Sequence, residues 1–210
     1  NGTIKNNWYT EITKSYWQHG SPTLFSVLQN SNIRTPYGGT ASVLPGTIQA
    51  EDFDIGCNGL AYYDNTGGNN GASIYRYGSS VDIGTTSDVT GGQDVGWTAT
   101  GEWLEYTVNI TSSGNYTFNI RVATPNSGNV FHIEQDGVNV SGPITVPDTG
   151  AYSIYTTVVL GNINLTAGTR VLRVYFDNVP GFNLNYFTVS SPLMFDFNSC
   201  LLYTSPSPRD

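Results

Sequence analysis

The sequence predicts an all-β fold, an antiparallel sandwich of two sheets spanning residues 47–191. Three observations predict it. Apolar and polar residues alternate with a period of two in successive runs, the pattern of half-buried strands. No window there carries the i, i+3, i+4, i+7 stripe of an amphipathic helix. With 24 Gly, 10 Pro and 14 Tyr in 210 residues, the composition suits short strands joined by turns.

In residues 102–110, Leu104, Tyr106, Val108 and Ile110 fall on one face, and Trp103, Glu105, Thr107 and Asn109 on the other. Tyr116, Phe118, Ile120 and Val122 repeat the alternation after a turn at Ser112-Ser-Gly114. Residues 130–134 and 138–140 flank Asp136-Gly137, a strong hairpin signal. Residues 153–160, 170–176 and 183–189 are further β-branched and aromatic runs. About 145 residues is ample for one such core.

Outside this region the pattern changes. Residues 1–30 are aromatic and amphiphilic but too short to bury a core, and read as the remnant of an upstream, catalytic domain. Residues 31–46 carry Pro and Gly with almost no charge, as a linker does. The chain opens on Asn1, so it is expected to be a piece of something longer. Residues 192–210 read as a tail, and its last eleven residues, from Cys200 to Asp210, resemble a translated sequencing adapter and are set aside.

A net charge of −8 argues against nucleic acid, which demands dense Lys/Arg contacts to phosphate. No stretch approaches the roughly 18 unbroken apolar residues that span a bilayer, and no membrane partner is expected. Cys57 alone supports neither a disulfide framework nor a thiolate zinc site. Nor is there a G-x-S-x-G, H-E-x-x-H or P-loop motif. A glycosidase needs two carboxylates about 5–10 Å apart. Glu102 and Glu105, three apart on a strand, point to opposite faces and read as solvated or edge charges.

The chain offers more for holding a sugar than for breaking one. Aromatic rings bury the flat C–H face of a pyranose without demanding charge, and neutral amides bond its hydroxyls. Trp97, Tyr152, Phe182 and Asn185 lie in or beside turn-rich segments. By residue type alone, packing residues and ligand contacts both remain open for them.

Seven blocks in order carry a resemblance. They are Thr47-Ile-Gln-Ala-Glu-Asp-Phe-Asp54, Gly59-Leu-Ala-Tyr-Tyr-Asp64, Ile74-Tyr-Arg76, Val81-Asp-Ile83, Gly91-Gly-Gln-Asp-Val-Gly-Trp97, Gly101-Glu-Trp-Leu-Glu-Tyr106 and Gly181-Phe-Asn-Leu-Asn-Tyr-Phe187. Together the region resembles the family 6 carbohydrate-binding modules, which are appended to secreted glycoside hydrolases. The resemblance implies a β-sandwich jelly roll with a glycan cleft among the loops at one end. It assigns Trp97 and Tyr152 to sandwich a sugar ring, Asn185 to bond its hydroxyls, and Phe182 to a flanking position. A carboxylate that some relatives carry after Asp-Ile is replaced here by Gly84. The resemblance also implies a structural Ca²⁺ near the N-terminal strand. Gln49 and Glu51 match its motif and share a strand face, hard oxygen donors suited to that ion. Asp64 and the carbonyls around Arg76 are further candidate ligands.

The expected function is therefore non-catalytic binding of a β-linked polysaccharide (xylan, β-glucan or agar-type) by a secreted, monomeric module tethered to a glycoside hydrolase. The alternatives are a hydrolase fragment with its own activity, to which residues 1–30 would contribute, and a structural adhesion domain. Within residues 47–191, Asn-X-Ser/Thr triplets at Asn109, Asn115, Asn139 and Asn164 fit the N-glycosylation pattern, which arises readily by chance in so Asn- and Thr-rich a chain.

Overall fold

The computed structural model describes residues 33–191. The readings of residues 1–30 as a domain remnant and of 192–210 as a tail lie outside the described residues. Two sheets face each other. The first runs β1 (Ser42–Leu44), β6 (Trp103–Ile110), β12 (Gly168–Asn178), β8 (Asn129–Gln135), β10 (Ile144–Val146), with β3 (Tyr62–Tyr63) beside β6 and β9 (Val138–Asn139) beside β8. The second runs β11 (Thr156–Leu165), β7 (Gly114–Ala123), β13 (Asn183–Ser190), β5 (Gln93–Val95), β4 (Ile83–Thr85), with β2 (Gly46–Gln49) also paired to β13. Every pairing between these strands is antiparallel except β1 with β6. This is the jelly-roll sandwich that the alternation and the resemblance predict.

The alternation explains the core. Leu104, Tyr106, Val108 and Ile110 of β6 are buried against Tyr116, Phe118, Ile120 and Val122 of β7. Phe187 joins the sheets, edge-on to Tyr106 at 5.3 Å and stacked on Phe118 at 6.2 Å. Removing such apolar area from water, at roughly 25 cal/mol per Å², is the main force holding the layers together. The Asp136-Gly137 hairpin forms as expected. Both residues have positive φ, 52° and 80°, as the tight turn matching strand twist requires.

Two readings of the sequence are corrected. The described part of the 31–46 segment is not a linker. Thr35 bridges to Ile55, Arg34 pairs with Asp54 and Glu105, and β1 adds a strand to β6 with Leu44 wholly buried. The low charge that suits a linker here belongs to an edge strand entering a sheet. Phe182 is not at the cleft surface. Its side chain is fully buried, stacked on Phe131 at 5.5 Å and edge-on to Phe176 at 5.6 Å. A ring enclosed between two others has no face left for a ligand.

Because Phe182 fills the core at one end of the sandwich, Phe182→Ala should destabilise the fold by about 3–5 kcal/mol, measured by urea denaturation. A loss below about 1 kcal/mol would contradict this placement.

Candidate functional site

At the end of the sandwich where β5, β7, β12 and β13 meet loops, the structure brings two exposed aromatic side chains beside one amide. Trp97, just after β5, is 56% exposed, and Tyr152, between β10 and β11, is 44% exposed. Trp97 has φ of 47°, a left-handed conformation uncommon for a bulky residue. Beneath it Gly84 leaves room, since a Cβ there would lie 3.5 Å from the indole ζ3 carbon. Thus the missing carboxylate after Asp-Ile has a structural counterpart: the indole closes over a glycine.

Asn183 connects the two aromatics. Its Oδ1 stands so close to Gly96, Trp97's neighbour, that a Cβ on Gly96 would lie 2.9 Å away. Its Nδ2 donates to the Tyr152 carbonyl at 3.2 Å and more weakly to the Tyr155 hydroxyl at 3.4 Å. Oδ1 accepts no hydrogen bond among the described residues, leaving an acceptor at the rim. The Tyr152 hydroxyl is held by Nδ2 of Asn126 at 2.8 Å. Below them the Tyr155 hydroxyl donates to the buried Asp94 carboxylate. Burial pushes the Asp94 carboxyl upward, and burial with that hydrogen bond pushes the Tyr155 phenol up. The result is two rings and an amide over a polar, hydrogen-bonded floor.

Asn185 is not part of this group. It is 1% exposed, and its amide donates to Asp88 at 3.0 Å and Thr90 at 3.3 Å. Asp88 in turn receives both a 2.7 Å and a 2.8 Å hydrogen bond from Arg121, which holds its carboxyl down to about 2. A register shift between Leu184 and Tyr186 breaks the alternation, and the segment between β4 and β5 covers Asn185. The amide at the rim is Asn183 instead. Asn183 stands in the same closing block, two residues before the expected Asn185. Asp94, Asn126 and Tyr155 join the group from outside the expected residues, and their only sequence signal is proximity to Trp97, Tyr152 and the turn residues between strands.

The N-terminal motif divides as well. β2 ends at Gln49, and Ala50–Asp52 turns into a short 3₁₀ helix, so Gln49 and Glu51 do not share a face. Gln49 is exposed, whereas Glu51 is buried with Oε2 unpartnered among the described residues. Desolvation pushes the Glu51 carboxyl up to about 7. Gln93, whose main-chain N–H donates toward it, carries another buried acceptor without a partner among the described residues, Oε1. Glu51 thus presents a buried, unpartnered oxygen of the kind a hard cation takes, whereas the Gln49 side chain is exposed. Asp64 accepts from the Thr66 N–H at 2.8 Å and hydroxyl at 2.9 Å, and its charge neighbours are Asp82 and Glu102 rather than Glu51. The Arg76 guanidinium lies 3.9 Å over the Phe53 ring and donates to the Asp54 carbonyl, tying its loop to the 3₁₀ segment.

Glu102 and Glu105 are buried, not solvated as expected. Glu105 is neutralised by Arg34 and Arg173, and Glu102 accepts the N–H groups of Ala99 at 2.8 Å and Asn65 at 3.2 Å. Both serve the fold.

The carbohydrate binding module (family 6) profile matches residues 71–191. The chain belongs to this family of non-catalytic carbohydrate-binding modules. Among curated proteins it is similar to the clotting factor G alpha subunit of Tachypleus tridentatus, 32% identical over 121 residues, a stretch covering 57% of this chain and 18% of that relative. Among solved structures it is similar to a family 6 module of Cellvibrio mixtus lichenase 5A, in complex with cellotriose, at 32% identity and a TM-score of 0.53, covering 70% of this chain and 97% of the other. The C-terminal family 6 module of LamC, a marine laminarinase of Zobellia galactanivorans, gives 27% identity and a TM-score of 0.54, covering 69% and 98%.

Burial, with the nearby charges of Asp64 and Asp82, pushes the Glu102 carboxyl up to about 7. The folded state thus holds this proton to higher pH than the unfolded chain, and stability falls as pH rises from about 4.5 to 7. Melting temperatures of the Glu102→Gln variant should fall less between pH 5 and 8 than those of the parent. Equal slopes would contradict the burial argument.

Proposed function

We propose that the rim formed by Trp97, Tyr152 and Asn183 binds a β-linked glucan chain, and that the module holds an attached glycoside hydrolase on its polysaccharide outside the cell. The observation that carries this reading is the exposure of two rings whose segments meet at one amide, Asn183, whose Oδ1 accepts no hydrogen bond among the described residues. Each ring can take a sugar's apolar face while Asn183 accepts a hydroxyl, without burying charge. A β-glucan is favoured among β-linked glycans because the two neighbours above are modules of a lichenase, bound to cellotriose, and of a laminarinase. Tethering raises the enzyme's effective concentration at the polymer and leaves its chemistry unchanged.

In titration calorimetry with laminari- and cello-oligosaccharides, Trp97→Ala should weaken binding at least about tenfold, some 1.4 kcal/mol, and Asn183→Ala by a similar factor. Asn185→Ala should lower the melting temperature and spare affinity. Undiminished binding by the Trp97 and Asn183 variants would reject the rim as the site.

The resemblance's calcium is proposed at Glu51, with Gln93 Oε1 and main-chain carbonyls as neutral donors. Among the described residues, no three acidic, His or Cys side chains converge, so the set would depend on neutral oxygens, which suit Ca²⁺. When bound, the ion would neutralise the buried carboxylate. Adding Ca²⁺ to chelator-treated protein should raise its melting temperature, and should do so less for Glu51→Gln. Identical Ca²⁺ responses in parent and variant would remove Glu51 from the site.

A further inference from the structure

Among the described residues, the four Asn-X-Ser/Thr triplets are spread through the sequence but not over the surface. On β7, Asn115 lies one residue from the strand's start and pairs with Asn164 near the end of β11. Eight residues further along β7, Ala123 pairs with Asn183 of the rim. At about 3.3 Å per residue, the strand puts roughly 26 Å between the two. In the facing sheet, Asn109 pairs with Thr169 at the start of β12, whereas β12's other end leads through Val179 to Gly181 beneath the rim. Asn139 lies on the edge strand β9, next to Val138, which lines a shallow groove with Gln135, Asn164 and Arg170. All four asparagines are exposed. The rim's own amides, Asn126 and Asn183, and the covered Asn185 sit outside any such triplet.

We propose that, in a eukaryotic secretory pathway, the chain is N-glycosylated at the pole opposite the rim, at Asn109, at Asn139 on the adjoining edge, and at one member of the Asn115/Asn164 pair. Each Asn Nδ2 forms a bond to the anomeric carbon of an oligosaccharide carried on a lipid pyrophosphate. The bond from that carbon to the pyrophosphate oxygen breaks, and the released lipid pyrophosphate departs as the amide loses one proton. No oxidant or reductant is needed. Asn115 and Asn164 share one acceptor position because they are cross-strand neighbours, with Nδ2 of Asn164 only 3.3 Å from Oδ1 of Asn115. Two glycans there would collide. Glycans at this end would cover turns and a sheet edge with hydrophilic bulk while the rim stays open.

The test uses the full 210-residue chain, secreted from insect cells behind a heterologous leader and compared with the same chain made in bacteria. Peptide mapping with and without peptide-N-glycosidase F should show enzyme-dependent Asn-to-Asp conversion at Asn109, at Asn139 and at one of Asn115 and Asn164 per molecule. Affinity for laminari-oligosaccharides should be the same for the glycosylated, deglycosylated and bacterial chains, within twofold. Absence of modification at all four positions overturns the proposal. So does glycosylated protein whose binding is weakened severalfold and restored by the glycosidase. If the bacterial chain binds no sugar, the rim reading fails, and the peptide map alone still decides the glycosylation.

Discussion

Thr98 and Phe182 hold each other by two buried hydrogen bonds, and the arrangement of the rim depends on them. The Thr98 hydroxyl donates to the Phe182 carbonyl at 2.9 Å and accepts the Phe182 N–H at 3.0 Å. One residue before Thr98 stands Trp97, and one residue after Phe182 stands Asn183. The pair therefore fixes the ring beside the amide through main-chain geometry rather than through contact between the two side chains. Being buried, these bonds are costly to leave unmade. Phe182 adds its packing between Phe131 and Phe176, so the main chain of the rim is anchored in the core.

The same end of the molecule is laced on its other side. Thr124 donates to the Gly181 carbonyl at 2.7 Å, and Asn129 accepts the Gly181 N–H at 3.0 Å. Gly181 has φ of 126°, and a Cβ there would lie 3.2 Å from the Tyr152 hydroxyl. A glycine is needed at this point for conformation and for space. Asn126 then holds that hydroxyl, so both exposed aromatics rest on a preorganised scaffold. Preorganisation matters for an uncharged, strongly hydrated ligand, because little binding free energy remains to order loops.

Charge in this module serves the fold more than the rim. Along the outer face of the first sheet, Arg34, Glu105, Arg173, Glu134, His132 and Asp177 form a chain of contacts. The Arg173 guanidinium lies 4.5 Å over the Trp103 ring and covers part of that aromatic. The buried Glu105 carboxylate is thereby paired, as burial demands. The rim presents aromatic rings and amides, a chemistry matched to neutral sugar rather than to ions.

The long strands were legible in the amino-acid sequence because alternation is a local property: β6, β7, β12 and β13 each show their buried face without reference to any partner. So were the Asp136-Gly137 turn and the exposed Trp97 and Tyr152, which lie outside the alternating runs. Other features needed the folded chain. Whether Asn183 or Asn185 reaches the rim depends on a register shift and on a covering segment more than ninety residues away in sequence. Whether Phe182 faces sugar or core depends on Phe131 and Phe176 from the opposite sheet. Gln49 and Glu51 part company because a strand gives way to a 3₁₀ turn. The sparsely charged segment before residue 47 contributes a strand only because β6 offers it an edge. Period and turn chemistry are written in neighbouring residues, whereas the surroundings of a side chain are set by partners that only the tertiary fold brings near.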